Sequence, residues 1–138
     1  MSRAHRPCIH VQMLGSSDVI TFLATTDYAR TRTFLVDVLG LRLVAETPFA
    51  HVYDANGTVL RVSKVDAFTP HPFTVLGWNV TDVAGKVAAL TRAGVVFERF
   101  GFLAQDDHGV WTSPDGAKVC WFKDPDGNLL SMTEWPAA

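Results

Sequence analysis

The sequence predicts an α+β fold built from two successive βαβββ units. Three observations predict it: short alternating strands surround one amphipathic helix, the same order of elements then starts again, and short motifs recur at matching places in the two halves. Alternation of apolar and polar residues indicates a half-buried strand, whereas apolar residues three and four apart indicate a helix packed along one side. We expect an N-terminal extension at 1–17, one domain at 18–134, units at 18–65 and 73–134, and a linker at 66–72.

The first unit begins with an apolar, β-branched strand from Val19 to Thr25. Asp27 then offers a side-chain oxygen to the free N–H groups of a helix, which is predicted over Tyr28–Leu39. Gly40 stands where a left-handed residue ends a helix. Three strands complete the unit, at Leu41–Glu46, Phe49–Asp54 and Thr58–Lys64.

The second unit repeats this order after the two prolines of the linker. Asp82 is the predicted cap of its helix, and Gly94 is the predicted end. The strands are predicted at Phe73–Val80 and Val95–Phe100 and in a final hairpin, with a helix at Val83–Ala93 and a longer loop at Gly101–Pro114.

The repeat is visible in the residues themselves. Thr26-Asp27 recurs as Thr81-Asp82, 55 positions later, and the turn Asp54–Gly57 recurs as Asp124–Gly127, 70 positions later. The larger second offset reflects the longer loop of the second unit. Agreement of caps and turns supports two copies of one unit better than either motif alone.

Composition excludes several classes of protein. The 138 residues suffice for one domain, and 48% hydrophobic against 19% charged residues is typical of a globular chain. A net charge of −2 without a basic run argues against nucleic acid as a partner. No apolar stretch is long enough to span a bilayer, so no membrane association is expected.

Cysteine usage and the first residues favour a cytoplasmic protein. Cys8 and Cys120 do not form a disulfide framework, and Cys120 lies in a predicted buried strand. The opening residues lack the apolar core of a signal peptide.

The closing hairpin carries a family resemblance. Its motif Phe122-Lys-Asp-Pro-Asp-Gly-Asn128, followed by a strand, resembles the last hairpin of the vicinal-oxygen-chelate superfamily, which includes glyoxalases, extradiol dioxygenases and bleomycin-resistance proteins. The resemblance covers Val19 to Glu134. Together with the loop Gln105–Trp111, the final hairpin resembles a metal-free, glyoxalase-like subgroup of this superfamily. It implies that each unit curls into a half-barrel, that paired units enclose a cavity, and that the protein is a homodimer with a small-molecule ligand.

The resemblance also indicates where metal ligands would stand. Metal-dependent members take ligands from the first and last strand of each unit, which correspond here to Ile20, Arg61, Val75 and Ser131. Two of these residues lack a donor atom, one is a permanent cation, and the serine is a weak neutral ligand. We therefore expect neither a metal nor another cofactor.

Strand alternation, combined with the resemblance, sorts the residues that would face the cavity. Polar groups there would be Arg61, Ser131, Thr133 and Asn79, among apolar residues that include Phe22 and Phe73. An arginine inside a cavity needs an anion. Arg61 therefore either binds a ligand anion, or pairs with a carboxylate, or reaches solvent at a sheet edge. The carboxylates considered for that pair are Asp54, Glu46 and Glu98.

Three further residues have two interpretations each. His51 either faces the cavity or is a half-exposed strand histidine, and His108 is either a solvated loop residue or part of a lid. Trp111 either stacks over a ligand or covers the core, whereas Trp121 is predicted to lie in the core or a subunit interface.

The favoured function is metal-independent binding of a small anionic or aromatic ligand in the sheet cavity. The alternative is a glyoxalase-like lyase or isomerase acting on a small carbonyl or dicarbonyl compound, with Arg61 for electrostatics and a histidine as base. A purely structural or regulatory dimer is a third possibility. The predicted ligand-binding residues are Arg61, Ser131, Thr133, Asn79, Phe22, Phe73, Trp111 and His51.

Overall fold

The computed structural model describes residues 13–137 as two four-stranded sheets, each accompanied by one helix. Most of the predicted N-terminal extension, including Cys8, lies outside the described residues; a 3-10 turn at Leu14–Ser16 precedes the first strand. The first module contains β1 (Ile20–Thr25), α1 (Tyr28–Arg32, continued by a π-helical segment at Thr33–Val38), β2 (Arg42–Glu46), β3 (His51–Ala55) and β4 (Thr58–Lys64). The second contains β5 (Leu76–Asn79), α2 (Val83–Arg92), β6 (Trp111–Thr112), β7 (Lys118–Lys123) and β8 (Leu129–Glu134).

The strand order confirms the predicted α+β fold of two βαβββ modules. The first sheet has the order β1-β4-β3-β2 and the second has the order β5-β8-β7-β6. In each sheet the strand before the helix pairs in parallel with the last strand, and the other pairs are antiparallel. Within residues 13–137, no helix has the length and apolar character needed to cross a membrane.

The two sheets also share one register. Phe22 lies opposite Arg61 in the first sheet, and Gly77 lies opposite Ser131 in the second. Residue 77 follows residue 22 by 55 positions and residue 131 follows residue 61 by 70, the same offsets as in the repeated motifs. The repeat therefore extends to cross-strand pairing.

Both helices begin at the predicted residues, Tyr28 and Val83, and end one residue before the predicted ends, Leu39 and Ala93. The side chains of Asp27 and Asp82 accept hydrogen bonds from the backbone N–H groups of Arg30 (3.1 Å) and Gly85 (3.0 Å). Gly40 and Gly94 have φ angles of +80° and +98°, which side-chain-bearing residues rarely adopt.

The predicted strand over Val95–Phe100 is wrong. Only Phe97 forms an isolated bridge, to Phe122, and the backbone N–H of Glu98 donates to the carbonyl of Trp121. The Gln105 side chain accepts from the N–H of Phe100 at 2.7 Å and donates to the carbonyl of Glu98 at 3.0 Å. A side chain therefore replaces a neighbouring strand, and the short edge strand β6 lies instead inside the predicted Gly101–Pro114 loop.

One hydrophobic core lies on the helix side of both sheets. Leu60 and Leu130 are completely buried there, in equivalent positions of the last strands. The ring of Phe34 on the π-helical segment lies 6.4 Å from that of Phe122 on β7, so the first module packs directly against the second. Because burial of apolar area is the main favourable term in folding, this shared core couples the modules.

Cys120 lies in the same core and is predicted to be chemically inert in the folded protein. Burial raises the pKa of its thiol to about 11, so roughly one thiol in a thousand is ionised at pH 8. In a Cys8→Ser chain, a thiol reagent at pH 8 should modify Cys120 at the rate of global unfolding. Modification in the native protein as fast as in denaturant would contradict this expectation.

Candidate functional site

Each sheet has an outer face, defined here as the face opposite the helices. On the first sheet, Val52, Arg61 and Phe22 form one row across β3, β4 and β1. The neighbouring apolar positions are open to solvent in the single chain: Ile20 is 51%, Phe22 60% and Val59 40% exposed. Such a contiguous exposed apolar area is typical of a binding or association surface.

Arg61 stands in the middle of this outer face without an ion-pair partner in the described part of the chain. It is exposed on β4, which is an inner strand, so it does not extend from a sheet edge. Among residues 13–137 no carboxylate lies within ion-pair distance of it, and the salt-bridge interpretation is therefore wrong. The three candidate carboxylates are engaged elsewhere: Asp54 with Arg42 at 3.3 Å, Glu46 with Arg32 at 3.5 Å and Glu98 with Lys123 at 3.7 Å.

The outer face of the second sheet gathers four predicted ligand-binding residues. Asn79, Thr133 and Trp111 belong to one row, completed by Val119. Ser131 lies in the adjacent row between Gly77 and Trp121. These residues share a face with one another, but they lie on a different sheet from Arg61 and Phe22.

Aromatic side chains cluster on this second outer face. The ring of Trp121 lies 5.4 Å from Phe100 at an angle of 86° and 6.4 Å from Trp111. The indole N–H of Trp121 donates to the hydroxyl of Thr74 at 3.1 Å. Trp121 is only half-buried and lies outside the core, so the core interpretation is wrong. The sequence carried a signal for this position, because Trp121 alternates along β7 with Cys120 and Phe122, whose side chains are buried on the opposite side of the sheet.

Gly77 leaves room on this face that any side chain would occupy. A Cβ atom there would lie 2.7 Å from the Ser131 hydroxyl oxygen and 3.3 Å from the Ser131 carbonyl oxygen. We expect Gly77→Ala to destabilise the protein by about 1 kcal/mol, because Ser131 must shift. Urea unfolding of Gly77→Ala, Ser131→Ala and the double variant tests this. We expect the double variant to lose less stability than the sum of the two single losses, because Ser131→Ala removes the hydroxyl that a Cβ at position 77 would contact. Purely additive losses would contradict this expectation.

A pocket of about 400 Å³ lies where the outer faces of the two modules meet. Phe22 and Val75 contribute to it from the two sheets, but Arg61 and Trp111 do not. Phe73 lies nearby, 57% exposed, with its ring stacked 4.8 Å from that of His71. The predicted linker supplies one wall, a role that no sequence pattern indicated; its lining residues are Phe68, Thr69, Pro70 and His71.

The two candidate histidines lie away from these faces. His51 pairs with Val62 on the helix side, and its ring stacks on Tyr28 at 3.7 Å, so it does not share the face of Arg61. Its Nε2 lies 3.7 Å from a carboxylate oxygen of Glu46. His108 is exposed in a turn, where its backbone N–H donates to Asp106.

The four positions at which the resemblance places metal ligands carry unsuitable side chains. Ile20 and Val75 have hydrocarbon side chains, Arg61 is cationic, and Ser131 is buried beside Gly77. The described part of the chain also contains no group of three or more His, Cys, Asp or Glu suited to a metal ion. These residues do not fit a divalent ion.

Groups with raised pKa values lie elsewhere in the fold. Burial raises the pKa of Tyr53 and Cys120 on the helix side. Burial also raises the pKa of Asp124, in the turn at the junction of the modules. None of these three residues lies on an outer face beside Arg61. The outer faces therefore offer a cation, hydroxyls and aromatic rings rather than an acid–base pair.

The structure places the chain in the class of α+β proteins built from two βαβββ modules, with polar and aromatic residues on their outer faces. Comparison with known proteins then gives the family. The family model for the Glyoxalase/Bleomycin resistance protein/Dioxygenase superfamily matches residues 17–132, so the chain belongs to that superfamily. No curated protein matches it.

Solved structures agree on the fold. TioX from Micromonospora sp. ML1 is 25% identical with a TM-score of 0.65, over 87% of this chain and 99% of its own. TnmS3, an antibiotic binding protein from Streptomyces sp. CB03234, is 21% identical with a TM-score of 0.66, over 88% and 98%. The fosfomycin resistance protein FosX from Listeria monocytogenes is 13% identical with a TM-score of 0.70, over 88% and 94%.

Proposed function

We propose that this chain is a metal-independent small-molecule binding protein whose ligand is small and anionic or aromatic. The observation that carries the proposal is that Arg61 lies in the middle of an exposed apolar face and forms no ion pair with any of residues 13–137. A guanidinium keeps its charge and presents several donors in a plane, which suits a carboxylate, enolate or phosphate. Apolar walls with a few placed polar groups are typical of small-molecule sites.

The site is proposed to need two copies of the chain. Arg61 lies on the first sheet, whereas Ser131, Thr133 and Trp111 lie on the second. A homodimer that lays the first outer face of one copy over the second outer face of the other would cover the exposed Ile20 and join both sets. Each dimer would then hold two equivalent sites, as closed two-fold symmetry requires.

The family supports ligand binding without catalysis as one of its uses. TnmS3 is described as an antibiotic binding protein, and binding alone needs no acid–base pair. Metal independence is supported by the side chains at these four positions, because Ile20 and Val75 lack a donor atom, Arg61 is a cation and Ser131 is a weak neutral ligand. The alternative, a lyase or isomerase, has less support, because neither candidate base lies beside Arg61: His51 packs on the helix side and His108 is exposed in a turn.

Other partners fit less well. The net charge of −2 gives no reason to propose nucleic acid or a membrane surface as a partner. We also propose a cytoplasmic location, supported by the free thiol of Cys120.

The proposed function is tested by calorimetry with two probes, 2-naphthoate and 2-naphthalenemethanol, which share one ring system and of which only the first is charged. We expect saturable binding of 2-naphthoate, weakened about 10- to 100-fold in Arg61→Ala because a charge-assisted hydrogen bond is lost. Arg92→Ala, which removes an exposed arginine on α2, is the matched control and should bind normally. Absence of binding, or equal binding by Arg61→Ala, would contradict the proposal.

A further inference from the structure

We propose a second small-molecule site, in a groove between the modules on the helix side, whose ligand is an apolar molecule with a single carboxylate. The groove has a volume of about 490 Å³, which is within the range of small-ligand sites. Its floor lies on the opposite side of the second sheet from the proposed outer-face site, because Met132 points to the helix side while its neighbours Ser131 and Thr133 belong to the outer face. Asn79, at the end of β5, lines the groove as well as belonging to the outer-face row.

The walls come from both modules and are mostly apolar. Phe122 and Met132 form a floor that is 1% and 4% exposed, and the ring of Trp78 stacks 6.3 Å from that of Phe122. A ligand on this floor would remain in contact with buried carbon on several sides. The full lining is Val38, Leu39, Trp78, Asn79, Val80, Thr81, Lys86, Ala89, Leu90, Phe122 and Met132.

The wall from the first module is the end of the π-helical segment. There the N–H of Leu41 donates to the carbonyl of Leu35 at 2.8 Å, and that of Leu39 donates to Phe34 at 3.0 Å. The wider helical turn places Val38 and Leu39 beside the second sheet. Such segments frequently occur at functional sites.

The charge of the groove lining indicates which class of ligand it would bind. Among residues 13–137, Lys86 is the one charged residue that lines the groove, and it has no ion-pair partner within that range. Two carboxylates at the start of its helix are engaged with backbone: the capping Asp82 accepts from the N–H of Gly85 at 3.0 Å, and Glu134 of β8 accepts from that of Val83 at 2.9 Å. An unpaired ammonium beside an apolar floor is complementary to a carboxylate attached to a hydrocarbon.

The test uses octanoate and octan-1-ol as probes, which share a chain and differ in charge, with calorimetry on the full chain. We expect saturable octanoate binding, weakened about tenfold by Lys86→Met while octan-1-ol binding is unchanged. Ala89→Trp, which fills the groove from an exposed helix position, should abolish binding of both probes. Lys118→Met, an exposed lysine on β7, is the matched control and should behave as the parent chain.

The result also separates this site from the proposed outer-face site. Octanoate binding should persist in Arg61→Ala, whatever that variant does to 2-naphthoate. Loss of octanoate binding in Arg61→Ala but not in Lys86→Met would overturn the proposal. So would absence of saturable binding to the parent chain, or equal effects of Lys86→Met and Lys118→Met. Normal thermal unfolding of each variant ensures that lost binding is not lost folding.

Discussion

Replacing Asp126 by alanine is expected to lower the free energy of unfolding by about 3 kcal/mol. Its side chain is 2% exposed and lies in the turn of the final hairpin, yet it binds the first module. The carboxylate accepts from the Thr25 hydroxyl at 2.6 Å, from the backbone and hydroxyl of Thr26 at 2.9 and 2.8 Å, and from Arg30 at 2.8 Å. Removing it takes the acceptor away from the buried Thr25 hydroxyl and from the partly buried N–H and hydroxyl of Thr26 at the module junction, whereas the exposed Arg30 remains solvated.

Urea unfolding at pH 7 measures this loss, with Asp107→Ala as the matched control. Asp107 is an exposed aspartate in a loop, so its replacement should change stability by less than about 0.5 kcal/mol. Asp126→Asn keeps one acceptor oxygen and should lose less than Asp126→Ala. An unchanged midpoint in Asp126→Ala would show that the shared core alone holds the modules together.

The contribution of Asp126 also has a defined pH dependence. Burial raises the pKa of its carboxyl, but hydrogen bonds from Thr25 and Thr26 and the charge of Arg30 outweigh burial and hold the pKa below its ordinary value of 3.8. A lowered folded-state pKa stabilises the protein above the unfolded-state pKa and ceases to do so as the pH falls through the folded-state pKa. The stability difference between the parent chain and Asp126→Ala should therefore be largest at neutral pH and shrink below about pH 4.

The sequence predicted the hairpin around Asp126 but not its role. Proline, glycine and asparagine residues indicate a turn through local backbone preferences. The partners Thr25 and Thr26 lie 101 and 100 positions away, and nothing in a local pattern reports such a contact. Local chemistry likewise predicted both helix caps and the alternation of the inner strands, because each depends on neighbours in sequence.

Where tertiary contacts decide, the sequence was less informative. Val95–Phe100 alternates like a strand, but the Gln105 side chain hydrogen-bonds the backbone N–H of Phe100 and the carbonyl of Glu98, which a neighbouring strand would otherwise bind. The face of His51 depends on the register between β3 and β4, which alternation does not supply. The structure divides the candidate ligand-binding residues between two sheets. Alternation predicts on which face of its strand a residue lies, but it does not predict how two sheets, or two copies of the chain, are placed relative to each other.

Phe22→Asp is expected to convert the proposed dimer into monomers, raising its dissociation constant at least about 100-fold. Phe22 is 60% exposed in the single chain and lies in the row of Arg61. A carboxylate there would lose its hydration when a second copy covers the outer face. Phe49→Asp is the matched control, because Phe49 is 79% exposed in the turn before β3. Sedimentation over a range of concentrations measures both. A monomeric parent chain, or a dimer unaffected by Phe22→Asp, would contradict the prediction.

Mixing two variants that each bind 2-naphthoate poorly then tests whether each proposed outer-face site contains residues of both copies. Arg61→Ala removes the cation of the first sheet, and Trp121→Ala removes the aromatic centre of the second. If a site joins the two sheets of different chains, a heterodimer of these variants contains one site with both residues intact and one with neither. Refolding the variants together should therefore restore 2-naphthoate binding to at most half of the sites in each heterodimer. If both residues served a site within one chain, no mixture would regain binding, and the proposed pairing of the outer faces would be wrong.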